Sequence, residues 1–178
     1  TLAIEAALIA LKRAPGLMRR FGFEKLKNFD KALWMKIKQA AREAALDKAA
    51  APIAGSDNDR QMIRIARQNA EAAEVAEWVV LETAEAQNVR PNGDGGIMVS
   101  NPPYGVRLSS GEALADFYPR LGDALKRGFA GWNAYFITAD LDMAKLIGLK
   151  ASKRTPLMNG DLDCRVFEFK LVAGQNRA

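Results

Sequence analysis

The sequence contains no histidine and a single cysteine, Cys164. Histidine is the commonest metal ligand and general base, so its absence argues against a Ser-His-Asp hydrolase and a zinc-dependent deaminase. One cysteine excludes an internal disulfide and any zinc site built from several cysteines. Because no histidine or second cysteine can activate Cys164, a catalytic thiol is also disfavoured. We therefore expect no metal site and no thiol chemistry.

Long apolar runs are also missing. No stretch approaches the roughly 20 apolar residues needed to cross a bilayer, and no signal-peptide pattern opens the chain. We therefore expect a cytoplasmic protein that does not enter a membrane. With 178 residues, 49% hydrophobic and 26% charged, the composition is that of one globular domain. The net charge of +5 fits an anionic partner, although charge alone leaves the partner's nature open.

Helical and strand patterns alternate along the chain. Helical spacing of apolar residues predicts helices at about 1–14, 30–50, 59–73, 112–126 and 141–147, and short apolar runs predict strands at 53–57, 79–81, 97–99, 134–137 and 167–171. We expect the strands at 79–81 and 97–99 to be buried on both faces. The last strand alternates apolar and charged residues, which suggests an antiparallel edge. This order predicts an α/β sheet whose ligands lie beyond the carboxyl ends of the strands.

The segment Asn101-Pro102-Pro103-Tyr104 follows a predicted strand, where such a sheet binds its ligands. Two prolines fix the backbone and remove two N–H donors, so neighbouring carbonyl oxygens and the Asn101 side chain can form a cluster of acceptors. A rigid turn is the alternative interpretation, and the local chemistry leaves both open. The segment resembles the (Asn/Asp)-Pro-Pro-(Tyr/Phe) motif of methyltransferases that act on amino groups.

That resemblance implies a site for an exocyclic amine of a nucleic-acid base. Such an amine is a poor nucleophile, and Asn101 Oδ1 and the Pro102 carbonyl would accept hydrogen bonds from it and hold its nitrogen towards the methyl donor. Tyr104 would stack on a base taken out of its helix. The motif identifies an NH2 group and leaves the base open.

Asp57 ends the predicted strand at 53–57, and Asn58 and Asp59 follow it. A carboxylate at this point of a nucleotide-binding βα unit commonly accepts hydrogen bonds from ribose hydroxyl groups. It can instead cap the next helix. Asp59 offers a second candidate for that cap, which would leave Asp57 for a ligand.

Eight segments spread over nearly the whole chain resemble bacterial 23S ribosomal RNA guanine-N2 methyltransferases. These segments are residues 1–7, 13–17, 21–23, 55–59, 66–70, 100–108, 131–133 and 159–165. Members of this family often carry an upstream THUMP domain and the label of N6-adenine-specific DNA methylase. The resemblance implies a Rossmann-like class I fold with helices on both faces of the sheet, S-adenosylmethionine as cofactor, and ribosomal RNA as partner.

The family also implies which residues hold the cofactor. A glycine-rich loop, with the first and central strand before it, normally precedes the segment that begins at Thr1, and it is missing here. We therefore expect residues 1–178 to be one methyltransferase domain within a longer protein, with Thr1 and Glu5 as the remainder of that part of the site. The resemblance assigns Asp57, Asn58 and Asn101 to the cofactor as well. Glu85 is a candidate for a contact with the cofactor's adenine, and a solvated loop acid is the alternative.

Two other functions stay open. The same motif would serve adenine N6 methylation of DNA or RNA, and a chain without its cofactor loop could be a non-catalytic RNA-binding module. The basic and aromatic segment 19–27 is a candidate RNA contact, whereas the arginines of the helix at 59–73 more often mark a solvated face.

Overall fold

The protein is described by a computed structural model, which covers residues 1–102 and 111–172 and, at 111–114, the backbone alone. The described residues form five α-helices and six β-strands. They divide into two compact units, Thr1–Thr83 and Ala84–Ala178, which we call unit 1 and unit 2. In the part of the chain that is described, every helix is too short or too polar to span a bilayer.

Unit 1 consists of three helices and a parallel pair of strands. Its elements are α1 (Leu2–Ala10), α2 (Lys31–Glu43), β1 (Ile53–Asp57), α3 (Arg60–Ala72) and β2 (Val79–Thr83), with short 3₁₀ helices at Gly22–Lys25 and Ala76–Trp78. The two strands run parallel in register from Ile53 beside Val79 to Asp57 beside Thr83. Their carboxyl ends therefore lie side by side.

The core of unit 1 is small and aliphatic. Its buried residues are Ile4, Ala7, Leu11, Ala70, Val75 and Val79. Gly55 lets α1 approach β1 closely, because a Cβ atom at this position would lie 3.1 Å from Ala3 Cβ and 3.1 Å from Leu81 Cδ2. The absence of a side chain at Gly55 thus fixes the separation between the first helix and the first strand.

Unit 2 contains a mixed sheet of four strands in the order β3-β4-β6-β5. Its elements are β3 (Gly96–Ser100), α4 (Gly111–Gly128), β4 (Trp132–Thr138), α5 (Met143–Leu146), β5 (Lys153–Asn159) and β6 (Leu162–Lys170), with a 3₁₀ helix at Ala86–Asn88. Strand β3 runs parallel to β4, whereas β6 runs antiparallel to both β4 and β5. Gly160, with φ of 61°, turns the chain between β5 and β6.

The core of unit 2 is larger and rich in aromatic side chains. Tyr118, Phe136, Phe167 and Phe169 are almost completely buried in it, and aliphatic residues of α4 and α5 fill the spaces between them. Helix α4 approaches the end of α5 at Gly122, where a Cβ atom would lie 1.9 Å from the carbonyl oxygen of Ile147. Only glycine fits this position without a shift of the backbone.

The structure confirms the α/β class and corrects several details. Strand β1 spans the predicted residues, and the C-terminal strand is antiparallel. The prediction that this strand lies at an edge was wrong, because β5 pairs with its outer side. Helix α2 ends at Glu43 instead of near Ala50, since the chain then turns and the Leu46 N–H donates to the Leu11 carbonyl at 2.8 Å.

The prediction that β2 and β3 are buried on both faces was also wrong. Val80 is 66% exposed and Ile97 is 69% exposed, whereas Val79 and Met98 pack against the cores of their units. The core residues of each unit lie on one face of its sheet, so alternate residues of both strands face away from them. A continuous apolar run was therefore compatible with one-sided burial.

Candidate functional site

Asp57 lies at the carboxyl end of β1, beside Thr83 at the end of β2. Its Oδ1 atom accepts a hydrogen bond from the Asp59 N–H at 2.9 Å. Of the two candidate caps of α3, Asp59 is the one observed, because its Oδ1 accepts from the Gln61 N–H at 2.7 Å. Asp57 is exposed, and within the described residues its other carboxylate oxygen has no hydrogen-bond partner. That oxygen is available to a ligand hydroxyl group.

Thr1 and Glu5 lie in and just before the first turn of α1, and both are exposed. Ala3, between them in sequence, packs against Gly55 in the middle of β1. Asn58 is exposed in the turn that follows Asp57. In unit 1 the start of α1 therefore packs against β1, the strand that ends in Asp57. The roles of Thr1, Glu5, Asp57 and Asn58 in cofactor binding remain predictions.

Asn101 and Pro102 follow the last residue of β3 directly. Ser100 pairs with Phe136 of β4, so both residues lie at the carboxyl edge of the parallel strands β3 and β4. Asn101 is exposed, and Pro102 is buried. The remaining residues of the predicted motif, Pro103 and Tyr104, lie outside the described residues. Their assigned roles stay predictions, as does that of Asn101.

A group of polar residues at the end of β4 was not predicted from the sequence. Thr138 is completely buried, and its Oγ1 accepts a hydrogen bond from the Asp140 N–H at 2.9 Å. The buried Tyr118 side chain of α4 forms a hydrogen bond with Thr138. Because β3 and β4 are parallel, this group lies at the same sheet edge as Asn101 and Pro102. The sequence signal for it was an acid, Asp140, just after a predicted strand.

The environment of Tyr118 changes its acidity. Burial, together with the nearby carboxylate of Asp140, raises the pKa of Tyr118 to about 12, against the opposing effect of the hydrogen bond with Thr138. The phenol is therefore protonated throughout the physiological range. Tyr118 therefore contacts Thr138, the last residue of β4, as an uncharged side chain.

The other predicted residues are placed as follows. Glu85 is exposed, and its carbonyl oxygen accepts a hydrogen bond from the Asn88 N–H at 2.8 Å. Arg67 of α3 donates to the Leu81 carbonyl at 2.7 Å, so this arginine connects α3 to β2. Cys164 is completely buried in β6. In the described parts of the chain, no cluster of three or more His, Cys, Asp or Glu residues could hold a metal ion.

The family profile, a curated relative and two solved structures that match this chain are all described as methyltransferases or methylases. The sequence profile of the family described as "RMKL-like, methyltransferase domain" matches residues 1–168. A curated relative from Shewanella baltica, named "Ribosomal RNA large subunit methyltransferase K/L", is 37% identical over 181 residues. The alignment covers 99% of this chain and 26% of that protein. The chain thus spans about a quarter of the length of this relative.

Two solved structures share the fold and more than 30% of the sequence. The crystal structure of a protein named SMU.472 in complex with SAH has a TM-score of 0.87 and 34% identity, and the match covers 99% of this chain and 46% of the other. A structure from Listeria monocytogenes, described as "a predicted N6-adenine-specific DNA methylase", has a TM-score of 0.83 and 31% identity. That match covers 93% of this chain and 42% of the other.

Proposed function

Since this chain belongs to the family of RMKL-like methyltransferase domains, we propose that it transfers a methyl group from S-adenosylmethionine to N2 of guanine in 23S ribosomal RNA. The observation that carries the proposal is the position of Asn101 and Pro102 at the carboxyl edge of β3 and β4. In this proposal residues 1–178 act as one catalytic domain. Action on ribosomal RNA would also place the enzyme in the cytoplasm.

The residues present fit part of the cofactor. Asp57 keeps one carboxylate oxygen without a partner in the described structure, which suits the hydroxyl groups of a ribose. Asn58 lies in the same turn, and Thr1 and Glu5 belong to the helix start that contacts β1. We assign Glu85 to the adenine end of the cofactor. The SAH complex of the solved relative supports S-adenosylmethionine as the donor, since SAH is what remains after the methyl group leaves.

S-adenosylmethionine, when bound, supplies a methyl group on a positively charged sulfur. The lone pair of a guanine amine is delocalised into the ring, so Asn101 Oδ1 and the Pro102 carbonyl have to orient the amine. Both oxygens accept hydrogen bonds from the NH2 group, and Pro103 and Tyr104 complete the pocket in this proposal. The nitrogen–carbon bond forms as the carbon–sulfur bond breaks, and the methylated amine then loses a proton to solvent. Asn101 has a second assignment, a contact with the cofactor.

The test is methyl transfer by a protein that comprises this chain and any residues preceding Thr1 in its natural sequence. Undermodified ribosomal RNA and isotopically labelled S-adenosylmethionine are the substrates, and the RNA is digested to nucleosides. We expect the label in N2-methylguanine. Asn101→Ala should lower kcat about a hundredfold, as expected for one group that stabilises the transition state. Asn88→Ala, at an exposed position of the same unit, is the matched control and should leave kcat unchanged.

The alternatives predict different products. Label in N6-methyladenine, from RNA or from duplex DNA, would support adenine methylation, which the description of the Listeria relative favours as the second candidate. Absence of both methyl transfer and S-adenosylmethionine binding would refute the enzyme hypothesis and leave a non-catalytic RNA-binding module. Equal activity of Asn101→Ala and the parent protein would refute the assignment of Asn101.

A further inference from the structure

We infer that unit 1 carries a separate binding surface for unpaired nucleotides of RNA, formed by the segment Arg19–Lys38. We call it the aromatic groove. It rests on the proposed function in one respect, namely that the nucleic acid is RNA. The groove has a volume of about 420 Å³ and lies between the 3₁₀ helix at Gly22–Lys25 and the first turns of α2. The groove is open to solvent, and six of its eight lining residues are apolar.

The rings in this segment are clustered but incompletely covered. Phe23 stacks on Phe21 at a centroid distance of 5.3 Å and meets Trp34 edge to face at 5.1 Å, and Phe29 lies 6.0 Å away. Phe23 is 41% exposed, and none of the residues of α2 is buried. An aromatic cluster built only for packing would hide its rings, whereas these rings present a surface on which a planar base can stack.

The segment that carries the rings also has an excess of cations. Between Arg19 and Lys38 the sequence has seven lysine or arginine residues and two acidic ones. Both acids are used within the fold, because Glu24 accepts from the Phe21 N–H and Asp30 accepts from the Leu33 N–H, each at 2.9 Å. The segment therefore has a local excess of positive charge, which suits a phosphate backbone.

None of these seven cations forms an ion pair with another residue that the structure describes. The guanidinium of Arg19 lies 4.6 Å from the centre of the Phe21 ring, and Lys38 Nζ lies 5.4 Å from that of Trp34. Lys25, Lys27 and Lys31 are exposed. Their charges are thus free to contact phosphate groups.

The groove also offers polar groups for a base edge. Asn28 and Asp30 are part of its lining, and the Asn28 side chain provides both a donor and an acceptor. The indole N–H of Trp34 is buried and has no acceptor among the described residues. The excess of cations in the segment and the exposed ring of Phe23 together favour unpaired RNA over an apolar peptide, which would need no such excess of charge.

Binding of a fluorescent oligouridine of 12 nucleotides to the chain, measured by anisotropy at several salt concentrations, tests the inference. Phe23→Leu keeps an apolar side chain and removes the ring, and we expect an affinity about tenfold lower from the loss of one stacking contact. Phe23→Tyr keeps the ring and should bind within about twofold of the parent. Thermal unfolding of both variants checks that the fold is intact.

The charge contribution is tested by a matched pair of double variants. Lys25→Gln with Lys27→Gln should reduce the slope of log K against log salt by roughly 1.4, since each phosphate contact on a single strand contributes about 0.7. Lys150→Gln with Lys153→Gln makes the same change of charge at exposed positions of unit 2 and should leave the slope unchanged. Equal effects of the two pairs would show a nonspecific attraction and overturn the inference.

Three further results would overturn it. These are equal affinity of Phe23→Leu and the parent protein, tighter binding of a duplex RNA of the same length, and self-association of the chain that Phe23→Leu abolishes while no RNA binds. The last result would identify a protein-docking face. Failure of the proposed function looks different, because a protein that binds oligouridine through Phe23 but transfers no methyl group loses the enzymatic assignment and keeps this surface.

Discussion

The two units use aromatic side chains in opposite ways. In unit 2, Tyr118, Phe136 and Phe167 are buried and form the centre of the core. In unit 1 the buried core is aliphatic and small, and the aromatic groove keeps rings such as Phe23 partly exposed. Burying an aromatic side chain stabilises a fold by several kcal/mol, so unit 1 forgoes a stabilisation that unit 2 uses. The RNA-binding surface that we propose for unit 1 would account for this difference.

A change at Gly122 tests how tightly unit 2 is packed and has the largest expected effect. Gly122→Ala would place a Cβ atom 1.9 Å from the Ile147 carbonyl oxygen, and we expect the free energy of unfolding to fall by about 3 kcal/mol or more. Urea denaturation measures it. Gly128→Ala, at the end of the same helix, has no atom nearer than 4.0 Å and should change stability by less than about 0.5 kcal/mol. Similar stabilities of the two variants would contradict this view of the α4–α5 contact.

The buried phenol of Tyr118 makes unit 2 sensitive to alkali. Its pKa is raised to about 12 in the folded state, whereas an unfolded tyrosine titrates near 10. The neutral phenol therefore makes its full contribution to the free energy of unfolding below about pH 10. As the pH rises towards 12, the free energy of unfolding falls by roughly 2 kcal/mol. Tyr118→Phe should remove this part of the pH dependence. Urea unfolding of both proteins between pH 9 and 11.5 gives the difference, and parallel curves would refute the prediction.

A pair of variants in unit 1 separates ligand binding from folding. Asp57→Asn keeps an oxygen that can accept from the Asp59 N–H, so stability should change little, while S-adenosylmethionine affinity falls about tenfold through loss of the charge. Asp59→Ala removes the cap of α3 and should cost about 1 kcal/mol of stability with affinity nearly unchanged. Calorimetry and thermal unfolding measure the two effects. The assignment fails if both variants weaken cofactor binding equally.

The sequence was most informative where a local rule decides the structure. Asp59 caps α3 because its side chain reaches the N–H of Gln61, a contact within three residues. The α/β class of the fold followed from the alternation of helical and strand patterns of apolar residues along the chain. Strand β5 was missed because all of its residues are exposed and Pro156 interrupts its pattern, so neither alternation nor an apolar run indicated a strand. Its formation depends on pairing with β6, which is a tertiary contact.

The candidate site was also predictable only where a local rule applies, namely that residues directly after a strand lie at a sheet edge. Asn101 and Asp57 each follow a strand, so their sequence positions already indicated a sheet edge. For the group formed by Tyr118, Thr138 and Asp140 the sequence signalled only Asp140, because the group joins a helix to a strand about 20 residues further along. Side-chain contacts of this kind depend on how α4 packs across the sheet, which no local pattern encodes.

Because Cys164 is buried, the rate at which a thiol reagent labels it can report local opening of the structure. The thiol is completely covered in β6 and is the only one in the sequence. A thiol reagent can reach it only when β6 separates transiently from its neighbours, so the labelling rate reports the local opening equilibrium of unit 2. Unit 1 has no thiol and is silent in such a measurement. One of the two units can therefore be followed in the native chain without an added label.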